Sequence, residues 1–141
     1  MKDFPWFKHY PDSVPNEVDY EAYSSVAELF DESVKKYGDA VAYECMGKTM
    51  SFNELNKLSE DFASYLTNVL RLKKGNRVAI QLPNTLQYPV AMFGAIRAGM
   101  IVVNTNPLYT SSEMKHQFTD SGADLIIILS NFANNLEKIL P

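Results

Sequence analysis

Apolar residues along this chain follow two rhythms, and the change from one to the other divides it. From Ser24, the positions Val26, Leu29, Phe30, Val34 and Tyr37 recur at three- and four-residue steps. That spacing gathers side chains on one face of a helix, with Lys35 and Lys36 suited to its last turn and Gly38 to its stop. Val41 to Met46 reads as a strand, Gly47-Lys48 as a tight turn and Thr49 to Ser51 as a short return strand. Ser51 and Glu54 have the spacing of a capping box, in which each side chain satisfies the other residue's backbone N–H. Behind that cap, Leu55, Leu58, Phe62, Leu66 and Val69 predict one apolar stripe on a helix that reaches about Leu70.

After Lys73-Lys74-Gly75-Asn76 the rhythm becomes continuous. Val78 to Leu82, Met100 to Val103 and Leu125 to Leu129 are short apolar runs, the pattern of strands buried on both faces. Between them lie helical segments, roughly Gln87 to Ala98 and Ser112 to Ser121. Pro89 leaves the start of the first one open, because it has no N–H to donate. Strands linked through helices predict a parallel sheet of α/β type with right-handed crossovers. Phe132, Leu136, Ile139 and Leu140 return to helical spacing, and Pro141 follows before another strand. The expectation is a partial Rossmann-like sheet with flanking helices and a small β-hairpin, cut while still being built. Upstream, Pro5, Pro11 and Pro15 predict an extended arm over residues 1–23 without a regular element, leaving 24–141 as the α/β unit.

Composition narrows the functional classes. A chain of 141 residues fits one domain and can bury roughly 68–70% of its unfolded surface. A net charge of −4 with scattered Lys and Arg gives no attraction to phosphate backbones, so nucleic acid is not expected as a partner. Cys45, the single cysteine, allows no internal disulfide. No apolar run approaches a membrane span and the first residues lack a secretory pattern, so a cytoplasmic setting is expected.

Chemistry-bearing patterns are sparse. The six glycines are isolated, and Gly94 and Gly99 are followed by Met100 and Ile101 where a phosphate loop needs Lys and Ser or Thr. His9 and His116 lack metal-ligand spacing and read as surface residues. Cys45 reads as a buried, inert thiol. Asp31-Glu32, Glu60-Asp61 and Glu113 read as solvated or dipole-paired carboxylates on helices.

Two stretches carry more than periodicity. Asn76-Arg77-Val78-Ala79-Ile80-Gln81-Leu82-Pro83-Asn84 runs on to Gln87-Tyr88-Pro89 and through Phe93-Gly94-Ala95-Ile96-Arg97-Ala98-Gly99. Val102-Val103-Asn104-Thr105-Asn106-Pro107-Leu108-Tyr109-Thr110 is followed by Glu113, His116, Gln117 and Asp120-Ser121-Gly122-Ala123. Together they resemble the N-terminal subdomain of AMP-forming acyl-CoA ligases, adenylate-forming enzymes, in wording closest to bacterial long-chain fatty-acid CoA ligases. The likeness runs from about His9 to Ala133.

The resemblance implies a parent that activates a fatty acid with ATP to an acyl-adenylate and passes it to CoA, assisted by Mg2+. It implies that the catalytic motifs lie further along, so this segment is expected to be scaffold that binds none of these cofactors and carries no catalytic residue or metal ligand. In relatives that use CoA, the loop after the second buried strand approaches the CoA entrance, which implies Leu108 and Tyr109 at its rim. The alternative, that they only pack the loop down, stays open. So do peripheral contact of the aromatic arm with the inner face of the membrane, a homodimeric parent, an acyl or aryl acid other than a long-chain fatty acid, and a free-standing α/β binding or assembly module.

Overall fold

A computed structural model describes residues 4–140; residues 1–3 of the expected arm and Pro141 lie outside it. The arm is not wholly irregular. Phe7–His9 forms one 3-10 turn, around which Phe4 stacks on Trp6 with ring centroids 4.6 Å apart while Phe7 meets Phe4 and Tyr10 edge to face. Local aromatic contact explains this short element, which proline spacing alone did not predict.

Helix α1 spans Val26–Tyr37, capped by Ser25, whose hydroxyl accepts from the Glu28 N–H. Strands β1 (Val41–Cys45) and β2 (Lys48–Ser51) form the hairpin. Its turn is Met46-Gly47 and not Gly47-Lys48: both residues adopt positive φ, 51° and 73°, as a two-residue turn matched to strand twist requires. Met46 consequently stands 97% exposed.

Helix α2 (Phe52–Ser64) begins with the expected reciprocal pair, Glu54 N–H to Ser51 Oγ at 3.1 Å and Ser51 N–H to the Glu54 carboxylate at 2.8 Å. It runs into a π-helical turn over Tyr65–Val69. The wider turn shifts the phase of the apolar stripe. Leu55 and Leu66 are fully buried, but Val69 turns outward and Leu58 is 44% exposed over an open cleft.

Strands β3 (Arg77–Gln81), β4 (Ile101–Asn104) and β5 (Leu125–Ile128) form a parallel sheet in the order β4-β3-β5. Central β3 is buried on both faces through Val78, Ala79, Ile80 and Gln81. Its neighbours are not: Ile101 is exposed and all four residues of β5 are only half-buried. A three-stranded sheet has two edges, so continuous apolar sequence outruns the cover available among the described residues.

Helix α3 (Gln87–Arg97) connects β3 to β4, and α4 (Ser111–Ser121) connects β4 to β5. Pro89 is the third residue of α3, where its missing N–H has no intrahelical acceptor to lose. Pro83-Asn84 ends β3 but does not cap the helix; the N-cap position is Leu86, without a side-chain bond. The last element, α5, is shorter than the spacing suggested. A 3-10 turn at Ser130–Phe132 leads into α5 (Ala133–Glu137), leaving Ile139 and Leu140 beyond its end.

Two apolar clusters hold these parts together. Leu66, Val78, Ile80, Ala91, Ala95 and Met100 join α2, α3 and the sheet. Phe30, Met50 and Leu55 join α1, the hairpin and α2, with Phe30 stacked on Phe93 at 4.0 Å. Between the clusters lies Arg97, whose side chain is only 14% exposed. Its guanidinium pairs with Asp31 of α1 and, at 3.1 Å, with Glu60 of α2; it also bonds Asn56 and sits over the Phe30 ring. Asp31 and Glu60 are therefore anchors for a mostly buried cation and not merely solvated charges.

Candidate functional site

In open α/β sheets, ligands gather outside the carboxyl ends of the strands, because loops there are free to vary while the sheet holds them in place. Three segments meet at that end here: Leu82–Leu86 after β3, Thr105–Thr110 after β4 and Leu129–Ser130 after β5.

The loop after β4 is fixed by a polar network rooted in the core. Thr105 N–H donates to Ile80 O at 3.0 Å, extending the ladder by one residue, and Thr105 itself is buried. Gln81, fully buried at the end of β3, donates Nε2–H to Asn106 O at 3.2 Å. Gln117 of α4 donates to Asn104 O at 3.1 Å, and Tyr88 OH to Asn104 Oδ1 at 2.6 Å. Burial raises the Tyr88 phenol above its ordinary value, with the nearby Tyr43 adding to the effect, so it remains a donor at neutral pH. The amide oxygens of Gln81 and Gln117 are buried without a protein partner, while their amide nitrogens donate to the backbone carbonyls of Asn106 and Asn104.

This network turns Leu108 and Tyr109 in different directions. Asn106 Oδ1 accepts from Leu108 N–H at 3.0 Å and Asn106 O from Tyr109 N–H at 3.1 Å, a tight turn that sends Leu108 out to 78% exposure. Leu108 thus does not pack the loop down. Tyr109 is half-buried and lines a cleft of about 410 Å3 with Ser112, Glu113, His116, Gln117 and Asp120.

The wall of that cleft is the N-terminus of α4, set by a second capping box that the sequence reading passed over. Thr110 Oγ1 accepts from Glu113 N–H at 3.4 Å, while the Glu113 carboxylate accepts from Thr110 Oγ1–H at 2.7 Å and Thr110 N–H at 2.8 Å. Those donors hold the Glu113 carboxyl below its ordinary value and commit it to the cap. Thr110 and Glu113 have the same spacing as Ser51 and Glu54. Gln81, a polar residue inside an otherwise apolar strand, was a second available signal.

An apolar cleft lies beside β5. Met50, Leu58, Phe62, Leu86, Val90 and Ile127 enclose about 360 Å3, and the space continues past Leu82 to Cys45, Met46, Lys48 and Leu129. Cys45 is half-buried at this mouth, not fully buried as expected, and its thiol lies 3.4 Å from Asn84 O. His9 and His116 are exposed.

What these groups do is position a loop. Among the described residues, the hydroxyl–carboxylate pairs are Ser24 with Glu28 and Thr110 with Glu113, both at helix N-termini. The positive-φ glycines, Gly38, Gly47, Gly75, Gly99 and Gly122, lie in separate turns. They do not fit a nucleotide's phosphates, which need several adjacent N–H groups aimed at one point.

The model of a family described as AMP-binding enzyme matches residues 30–141. A long-chain-fatty-acid–CoA ligase of Escherichia coli O6:H1 is 53% identical over 135 residues, 96% of this chain and 24% of the relative. One from Haemophilus influenzae is 46% identical over the same shares. The chain therefore spans about a quarter of the length of these curated relatives. Among solved structures, the anthranilate CoA ligase AuaEII in complex with anthranoyl-AMP superposes with a TM-score of 0.77 at 19% identity, covering 83% of this chain and 22% of that one. A Mycobacterium tuberculosis fatty acyl CoA synthetase gives 0.74 at 24% identity, covering 80% and 23%. At such identities the structural likenesses speak to the fold alone.

Proposed function

We propose, from the premise that this chain belongs to the family of AMP-binding enzymes, that it is one part of a ligase that activates a long-chain fatty acid with ATP and transfers the acyl group to CoA. The observation that carries this reading is the 53% identity to a long-chain-fatty-acid–CoA ligase across nearly the whole chain. ATP use follows from the family; CoA as acceptor, Mg2+ and the long-chain acid are the finer part of the proposal. In this reading residues 24–141 are a scaffold subdomain and residues 1–23 an arm laid against it. A cytoplasmic location, a homodimeric parent and peripheral contact with the inner membrane face belong to the same reading, the last supported by the exposed Trp6 and Tyr10.

The test is an assay of acyl-CoA and AMP formation with ATP, Mg2+, CoA and a long-chain acid. The full-length protein is expected to form both products and to prefer the long-chain acid to an aryl acid. The 141-residue chain by itself is expected to show no turnover. A full-length protein that activates only aryl acids, or a chain that turns over alone, would refute the reading.

Within the same proposal, Leu108 and Tyr109 form part of the rim through which CoA enters. Support comes from the rigid loop that presents Leu108 to solvent at the carboxyl end of the sheet. Leu108→Ser in the full-length enzyme is expected to raise KM for CoA about threefold to tenfold with kcat little changed, as lost uniform binding does. An unchanged KM for CoA would remove Leu108 from the rim.

A further inference from the structure

We propose that Tyr88 and Gln117 are positioning residues for the loop that carries Leu108 and Tyr109, acting from two helices on a single residue, Asn104. The inference rests on the reading that this loop is the CoA rim, and adds what holds the rim in place. Every bond in it joins described residues, so it does not depend on which surfaces other parts of a longer parent cover.

The peptide between Asn104 and Thr105 is where β4 leaves the sheet. Its N–H donates to Ile80 O at 3.0 Å on one side. In a trans peptide the carbonyl points the opposite way, so Asn104 O faces away from β3, where no strand among the described residues meets it. Gln117 Nε2 of α4 supplies the donor there at 3.1 Å. A side-chain amide thus stands in for a strand, and the peptide plane is gripped along both edges.

The Asn104 side chain is held separately, by Tyr88 OH of α3 on its Oδ1 at 2.6 Å. The Tyr88 ring packs against the cluster that joins α2, α3 and the sheet, and the next residue, Pro89, is buried, so the hydroxyl is presented from a firm base. Asn104 cannot rotate without breaking bonds to β3, α3 or α4. Two residues later Asn106 makes the turn that sends Leu108 outward, so a rotation at Asn104 is passed on to the rim. Gln81 steadies the Asn106 carbonyl from β3, but it does not fix the peptide plane before it.

Gln117 separates positioning from plain stabilisation. Its Oε1 is buried without a protein partner, which costs stability. Methionine has nearly the same length and no such atom. Gln117→Met therefore removes one hydrogen bond and one unpartnered oxygen together, while the exposed Asn104 turns to water, and the changes in stability nearly offset.

In the full-length enzyme, Tyr88→Phe and Gln117→Met are each expected to raise KM for CoA about threefold, with kcat, KM for ATP and the urea midpoint little changed. Made in an enzyme that already carries Leu108→Ser, each is expected to add less than about 1.5-fold, because the placement of a side chain that is gone no longer counts. A Leu108→Ser enzyme with an unchanged KM for CoA brings down the rim reading and this inference with it. A KM that rises for Leu108→Ser but stays put in either Tyr88→Phe or Gln117→Met overturns this inference alone. So does a rise that comes with a lower urea midpoint and an equal rise in KM for ATP, or one that adds in full to that of Leu108→Ser.

Discussion

A Gly94→Leu chain is expected to lose about 3 kcal/mol of stability, read as a lower urea midpoint at an unchanged denaturant slope. Gly94 lies in the middle of α3, where the helix crosses α2 at closest approach. A Cβ there would sit 2.8 Å from Phe62 Cδ1 and 3.0 Å from the carbonyl oxygen of Ser59. The phenyl ring can swing aside, but the Ser59 oxygen belongs to the backbone of α2 and Ser59 is fully buried. Alanine regains about 1 kcal/mol of helix propensity, so Gly94→Ala falls well short of the leucine cost. Leucine brings four carbons to a space that does not admit one, and α2 and α3 must separate. If Gly94→Leu unfolded at the midpoint of the unsubstituted chain, the close crossing of α2 and α3 would be wrong.

Arg97→Ala is expected to cost about 2 to 3 kcal/mol by the same measurement. Three helices meet at this side chain: Asp31 comes from α1, Asn56 and Glu60 from α2, and Arg97 itself from the end of α3, where a cation also suits the helix dipole. Asp31 and Glu60 are about half exposed and regain water when the guanidinium is removed, which keeps the loss below that of a fully buried pair. What is not recovered is the packing of the guanidinium over Phe30 and the tie that Asp31 gives α1 to the α2–α3 pair. Arg97→Lys is expected to restore less than half, because a single ammonium cannot serve acceptors on two helices and stack on a ring together. By contrast, Lys35–Glu32 and Lys57–Asp61 are solvent-screened pairs, each within one helix, and contribute little. A loss under about 1 kcal/mol for Arg97→Ala would place its contacts in that same minor class.

How far the chain could be read in advance depended on the range of the interaction. Ser51 and Glu54 gave the start of α2 because a capping box is complete within four residues. The parallel arrangement of β3, β4 and β5 followed from apolar runs alternating with helical segments. Phase errors were local too: Met46 takes a left-handed conformation usually left to glycine, and the π-helical turn at Tyr65–Val69 carries no spacing signature of its own. The reading failed where burial depends on a neighbour distant in sequence. Ile101 and the β5 residues look like core by composition, yet a strand's second face is covered only if another element reaches it. Arg97 looked like an ordinary helix-end cation until Asp31 and Glu60 were brought to it from two other helices. At the candidate site, Leu108 and Tyr109 were picked out through family resemblance, whereas Gln81 and Gln117, which hold their loop, became visible only when their amides were seen on Asn106 and Asn104.

The order β4-β3-β5 also sets a schedule. Strand β3 is the template for both neighbours, but Arg77 meets Ile101 over a span about half that between Val78 and Leu125. Doubling a loop adds only about 0.6 kcal/mol to its closure, so the two pairings differ little in final stability. They differ in time, because synthesis proceeds from the N-terminus at roughly 5–20 residues per second. On the ribosome, α1, the hairpin, α2 and the β3–β4 pair are all available before Leu125 emerges. For those seconds the most buried strand of the finished molecule stands with one side bare, which is the interval in which a nascent chain most needs protection from its neighbours.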